Sequence, residues 1–212
     1  MINFAEIPAS PKSLGQRKKV CGVGINDAPY ITNTIIDGIR VKCPYYSTWC
    51  SMLVRCYSEN SIIIQPTYIH CIVCDEWLTF SNFKKWMKQQ EWQDNELDKD
   101  LKIAGNVLYS PDTCMFVSPS INKLLNTHKN RRGRHPQGVS YHSRDHKFEA
   151  YISTQGVRKY LGRFPTCKAA NTAYISAKYR ELIRLSALPE NTQIRQCLVD
   201  TANSINKERC YD

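Results

Sequence analysis

The chain has 212 residues, room for one medium domain or two small ones, and its 42% hydrophobic and 23% charged residues are those of a folded globular protein. The formal net charge of +10 points to a polyanionic partner, and it is concentrated: Lys123 to Arg184 holds 14 Lys and Arg against three acids, leaving the remainder near neutral. That concentration excludes a uniformly basic, solubilising surface, and the lack of a basic amphipathic helix or lipidation signal excludes an acidic membrane as the polyanion.

No apolar run reads as a signal peptide or a bilayer span, which gives the expectation of a cytoplasmic protein with ten reduced cysteines. Residues 1–44, rich in Pro, Gly and Asn, have no sustained period and predict an extended arm with a turn near Val20–Pro29, packed on the next domain. Gly22 and Gly24 are not followed by a helix signature, so they do not make a nucleotide loop.

From Tyr45 the pattern changes. Trp49, Met52, Leu53 and Cys56 fall at helical spacing, and after a loop through Pro66 to Cys74, a second helix is marked by Trp77, Phe80, Phe83, Trp86 and Met87. Those aromatics predict a core. Leu97 to Leu101 predicts a short strand, Gly105-Asn106 a turn, and Cys114 to Val117 the antiparallel return. Ser118-Pro119 then opens a helix through Ile121, Leu124 and Leu125, Ser being a good cap and Pro suiting the first helical position.

The polar, basic stretch HKNRRGRHP within 126–137 predicts a domain boundary. Beyond it three strands are predicted over 138–144, 147–154 and 157–164, with turns at Asp145-His146 and Gln155-Gly156. Thr166 caps a helix from Cys167 to Leu185 with a stripe of Ala170, Ala173, Tyr174 and Ala177. A last helix is expected around 194–205. The fold class is therefore α+β: an arm over 1–44, a helical domain with a hairpin-and-helix unit over 45–127, a linker over 128–137, a three-stranded antiparallel sheet packed on one helix over 138–186, and a tail over 187–212.

Strand residues alternate faces, so Phe148, Ala150 and Ile152 meet the alanine stripe while Lys147, Glu149, Tyr151 and Ser153 look away. The open face is expected to carry Tyr151, Ser153, Arg158 and Tyr160, joined by Ser140, His142 and Arg144 and framed by Arg131, Arg132, Arg134, Lys159 and Arg163. A twisted sheet so furnished can enter the major groove of duplex DNA, where Arg reads guanine edges and flanking bases hold phosphates. Gly138-Val139-Ser140-Tyr141-His142, Lys147 to Ile152, Arg158 to Phe164 and the helix with Ala169-Ala170 and Ala173-Tyr174 resemble the plant APETALA/ethylene-response DNA-binding domain, in the variant at the C-terminus of phage homing endonucleases. The resemblance implies a double-stranded DNA partner, with Arg158 and Tyr160 at positions of base contact.

The middle of the chain is similar to phage HNH-type endonucleases through Trp49-x2-Met52-Leu53-x-Arg55-Cys56, Cys71-x2-Cys74-x-Glu76-Trp77-x2-Phe80-x2-Phe83, Leu97-Asp98-Lys99-Asp100, Gly105-Asn106, Tyr109-Ser110-Pro111-x2-Cys114 and Asn122. That family's hydrolysis uses a His as general base, one divalent cation and an Asn that orients the His. The resemblance puts metal ligands at Asp98 and Asn122, the general base at Lys99 and the orienting residue at Thr113. A lysine of ordinary pKa is protonated at neutral pH and is no base. Two outcomes stay open: cleavage through Asp98, Asp100 and Asn122 around Mg²⁺ with a base such as His128, or DNA binding with weak or absent cleavage, toward which the sequence leans. A pure DNA-binding regulator and a protein that binds an acidic host partner are the alternatives in other classes. Zinc at His70, Cys71 and Cys74, with Cys114 and in a wider set Cys56, is a minor expectation, since one CxxC lacks a second pair.

Overall fold

Trp49, Met52, Leu53 and Cys56 are all buried on one side of α2 (Pro44–Tyr57), as their spacing requires. The structure is a computed structural model that describes residues 4–125 and 134–210, the last three by backbone alone. It is mixed α+β, with seven α-helices and four small sheets among the described residues, none of whose helices is long and apolar enough to cross a membrane. The chain divides into two compact units, with the boundary along the chain between Phe116 and Val117.

In the first unit α2 lies against α4 (Phe80–Met87). Their shared core is aromatic: Trp49 meets Phe80 with ring centroids 5.5 Å apart, and Trp77 meets Phe83 edge-on at 5.0 Å. The Trp49 Nε1–H donates to the Trp77 carbonyl at 2.7 Å, so this large side chain is buried with its donor satisfied. The arm, which opens with the short helix α1 (Pro11–Gly15), is stitched onto this core. Arg17 donates to the carbonyls of Asn26, Ala28 and Tyr30, and Ile25 exchanges backbone hydrogen bonds with Leu78 and Phe80. Gly24 is there because a Cβ would lie 2.3 Å from Leu53 and 2.9 Å from Trp49; its role is close packing.

The arm also holds an element the sequence reading did not anticipate. β1 (Asn33–Ile36) and β2 (Ile39–Lys42) form an antiparallel hairpin closed by Asp37 and Gly38, both at positive φ as a type I′ turn demands. Further on, after a short helix α3 (Glu59–Ile64), β3 (Ile72–Val73) pairs in parallel with β5 (Leu108–Tyr109), and β4 (Glu96–Asp98) pairs with β6 (Met115–Val117).

The second unit contains α5 (Pro119–Leu125), which the sequence grouped with the central segment ahead of the connector. Beyond the connector, β7 (Val139–His142), β8 (Lys147–Thr154) and β9 (Val157–Phe164) make an antiparallel sheet in that order. β8 and β9 have the expected bounds and are joined by a type I′ turn at Gln155-Gly156. β7 is shorter than expected, so Arg144 lies in the turn after it.

The helix α6 (Cys167–Ser186), capped by the Thr166 hydroxyl accepting from the Ala169 N–H, covers one face of the sheet. Ala170, Tyr174 and Ala177 are buried toward Ala150 and Ile152. Gly138 has φ +77°, and a Cβ there would lie 2.2 Å from the Tyr174 ring and 2.6 Å from the Tyr151 carbonyl oxygen. On its other side α6 packs against α7 (Arg195–Cys210), which buries Leu198 and Ala202 one helical turn apart.

Candidate functional site

The open face of the sheet follows from the strand register. Ser153 lies opposite Arg158, Tyr151 opposite Tyr160, Glu149 opposite both Arg163 and Ser140, and Lys147 opposite His142. Directly opposed residues share a face, so these nine side chains all look away from α6. Arg163 joins them because of a bulge: Tyr151 faces Tyr160, the adjacent Ala150 faces Gly162, and Leu161 is the extra residue.

Arg158 and Tyr160 are exposed, Tyr160 at 55%. The Arg158 guanidinium lies 3.9 Å from the centroid of the Tyr151 ring, which in turn packs on Tyr160 at 5.2 Å. Arg158 has no ion pair among the described residues. Arg163 is the opposite case. Its Nε and Nη2 donate to Glu149 Oε1 at 3.1 and 2.6 Å, and its Nη1 to Asp145. The Tyr151 hydroxyl donates to the other Glu149 oxygen at 2.9 Å, and this bond holds the phenol's pKa above its ordinary value. His142 Nδ1 is 3.5 Å from Asp145 but out of line for a hydrogen bond.

Glu149 therefore organises the face by fixing Arg163 and Tyr151, while Arg158 and Lys147 have no ion pair among the described residues. Ser140 and Ser153 add exposed hydroxyls. Lys159 projects from the other side of the sheet: it pairs with Ile152, on the side that α6 covers, and its charge helps lower the Glu181 pKa, behind the larger effect of Arg184. Arg144 is exposed in the turn after β7 and Arg134 is exposed ahead of Gly138, whereas Arg131, Arg132 and His128 lie outside the described residues.

The central residues are arranged differently. Lys99 is 7% exposed, and its Nζ donates to Asp100 Oδ1 at 2.6 Å and to the Asn106 carbonyl at 2.7 Å. The Tyr68 and Tyr109 rings each lie 5.9 Å from that ammonium. Burial alone would lower the Lys99 pKa, but the hydrogen bond and charge of Asp100, followed by Cys71 and Tyr68, leave it above its ordinary value. Lys99 is thus a fixed cation. Asn106 completes the lock, its side-chain amide donating to the Lys99 and Leu108 carbonyls at 2.9 and 2.7 Å. Arg55 is held nearby as a second cation: burial opposes its charge, and the phenols of Tyr109 and Tyr68 more than offset that.

Asp98 Oδ1 accepts the backbone N–H groups of Asp100 and Leu101 at 2.7 and 2.9 Å, closing a local turn, while burial raises its pKa. Thr113 is likewise turned inward: its hydroxyl donates to the Leu108 carbonyl at 2.6 Å and accepts from the Ser110 N–H. Asn122 sits on α5, in the second unit.

Of the two carboxylates, Asp98 Oδ1 is engaged by backbone N–H groups and Asp100 Oδ1 by the Lys99 ammonium. The two thiols of the CxxC pair have separate partners. Cys71 Sγ donates to the Thr67 carbonyl, whereas the Cys74 thiol, its pKa raised by burial, meets the backbone N–H groups of Trp77 and Glu76. Among the described residues no three His, Cys, Asp or Glu side chains are grouped to hold a metal ion.

Sequence reasoning named most of the open face but missed Glu149, Asp145 and Asn106 as organisers. The signal was present for Glu149, an acid on a face otherwise read as basic. Comparison of the chain with protein-family models, with curated proteins and with solved structures finds no match.

Proposed function

We propose that this protein binds double-stranded DNA by laying the open face of the β7–β9 sheet in the major groove, and that its central unit serves binding rather than strand cleavage. The observation that carries the reading is Arg158, an exposed, unpaired guanidinium held over the Tyr151 ring in a region with 14 Lys and Arg against three acids. Stacking fixes the plane of the guanidinium while leaving its N–H groups free, which suits two parallel hydrogen bonds to guanine O6 and N7. Tyr160 beside it offers an apolar ring edge and a hydroxyl, and Ser140 and Ser153 offer short donors. Arg163, neutralised by Glu149 and Asp145, stiffens the platform. The resemblance to APETALA-type domains agrees with this division of labour.

For the central unit, the proton chemistry of Lys99 supports the non-cleaving reading. A general base needs a free lone pair, and this ammonium is held protonated by Asp100. The test is an electrophoretic shift of duplex DNA across a salt series, together with plasmid incubated in Mg²⁺ or Mn²⁺. Expected are an affinity that falls steeply with salt, through counterion release, and no nicking. An affinity indifferent to salt would overturn DNA binding in favour of an acidic protein partner. Metal-dependent nicking that disappears in Asp98→Ala and Asn122→Ala would overturn the non-cleaving reading.

A further inference from the structure

The first unit contains a cleft that neither resemblance explains. The β1–β2 hairpin turns one face, bearing Asn33, Ile35, Arg40 and Lys42, toward the side of α2 that carries Tyr46, Ser47, Cys50 and Ser51, enclosing about 540 Å³. Arg40 and Lys42 are two residues apart on one strand, so both project from the same face, roughly 7 Å apart along it. Both are exposed, neither has an ion pair among the described residues, and no carboxylate lines the cleft. General basicity is not the cause: residues 1–116 carry 12 Lys and Arg and 12 Asp and Glu. Two uncompensated cations in a balanced unit mark a place for an anion.

The rest of the lining narrows the class of ligand. The volume falls in the range of small-molecule sites and exceeds what a lone inorganic anion fills. Tyr46 is half-buried, with Trp49 and Phe80 packed behind it at ring centroids 5.6 and 5.2 Å away, so its orientation is fixed. Burial pushes its phenol pKa up to about 12, so the hydroxyl is neutral; it is hydrogen-bonded to the Cys50 and Asn26 side chains, which leaves the ring edge to meet a ligand. Asn33 and Ser47 supply neutral polar groups at the same opening.

We propose that this cleft binds a nucleotide: Arg40 and Lys42 take the phosphate, and Tyr46, Asn33 and Ser47 take the sugar or base. The phosphate can belong to a free nucleotide or to a nucleic-acid strand. The site does not rest on the sheet reading, since it lies wholly within the first unit.

The test is amide chemical-shift mapping on the full-length protein carrying Arg158→Ala, which weakens competition from the sheet and lets the two sites be told apart by which residues shift. Probes are dTMP, a single-stranded hexathymidylate and inorganic phosphate. Expected shifts concentrate in residues 33–42 and 46–51. Arg40→Ser/Lys42→Ser weakens binding at least about tenfold, while Lys85→Ser, an exposed cation outside the cleft, changes it less than about twofold. Binding of dTMP identifies a free nucleotide as sufficient; binding of the hexamer alone identifies a strand. Shifts absent from these segments, equal affinity for phosphate and dTMP, or an unchanged affinity in the double variant would overturn the site. If the double variant unfolds, Lys42→Gln alone, which keeps the chain length and a polar end, must still weaken binding several-fold.

Discussion

Lys99 and Arg158 are both cations set against tyrosine rings, yet they are opposites. Lys99 is buried with its ammonium donating to Asp100 and to the Asn106 carbonyl, and Arg158 lies open with no ion pair among the described residues. The difference teaches that residue type and aromatic company do not define a binding group; what defines it is where the opposite charge resides. Inside the fold, the pair contributes stability. Outside it, the partner molecule supplies the second half.

The comparison can be broken in four places, beginning with the strongest expected effect. Gly138→Ala would drive a methyl into Tyr174 and the Tyr151 carbonyl at a positive φ, costing about 3 kcal/mol in the second unit. All four tryptophans lie between residues 49 and 92, so tryptophan fluorescence, excited selectively over tyrosine, reports the first unit alone. Denaturation followed by circular dichroism should shift while the fluorescence transition stays in place; a shift in both would show the units to be coupled.

Next comes Lys99→Met, expected to destabilise the first unit by about 2 kcal/mol, below the range for fully buried pairs because Asp100 is half-exposed. The sign with pH is specific. The folded pKa is raised, so the stabilisation is complete below the ordinary value of 10.5 and is lost as pH climbs through the folded value. Wild-type fluorescence-monitored stability should therefore fall above about pH 10.5, with the variant lacking that extra drop. DNA affinity should be unaltered.

Smaller in energy but more telling for function is the pair Arg158→Ala and Arg163→Ala. Removing the unpaired guanidinium should cost about 1.5 kcal/mol of DNA affinity, roughly tenfold, whereas removing the one already neutralised by Glu149 and Asp145 should cost less than about 0.7 kcal/mol. Equal losses in a fluorescence-anisotropy titration would dissolve the distinction between them. The smallest effect is expected of Asp98→Asn. Burial holds the folded carboxyl pKa above 3.8, so ionisation of Asp98 costs stability as pH rises through that window. An amide oxygen can still accept the N–H groups of Asp100 and Leu101, and stability at neutral pH should stay within about 1 kcal/mol or improve. A loss above 2 kcal/mol would mean the negative charge itself is needed.

How legible all this was depended on the range of the interaction. β8, β9, their turn and α6 could be read because alternation, Gln155-Gly156 and the Thr166 cap are local signals. The Asp37-Gly38 hairpin was equally local, flanked by Ile35, Ile36 and Ile39, but the Pro and Gly around it gave the composition of an arm and hid the strands. β3 and β5, two residues each, leave no period to detect. Lys99 could be identified as an improbable base from its pKa, but the Asp100, Asn106 and Tyr109 enclosure brings together groups that only the folded loop aligns. The open face was legible as far as alternation runs, and Arg158 and Tyr160 follow from it. The placement of Arg163 does not, because nothing in Leu161-Gly162 announces an extra residue.

That extra residue acts as a phase shifter. Upstream of Leu161 even-numbered side chains of β9 look outward; downstream the odd-numbered Arg163 does. Insertions or deletions at this one point would exchange Arg163 and Phe164 between the wet and dry sides without altering any side chain. The chemical character of half the strand is thus carried by a count of residues, a kind of variation to which the platform is more sensitive than to substitution.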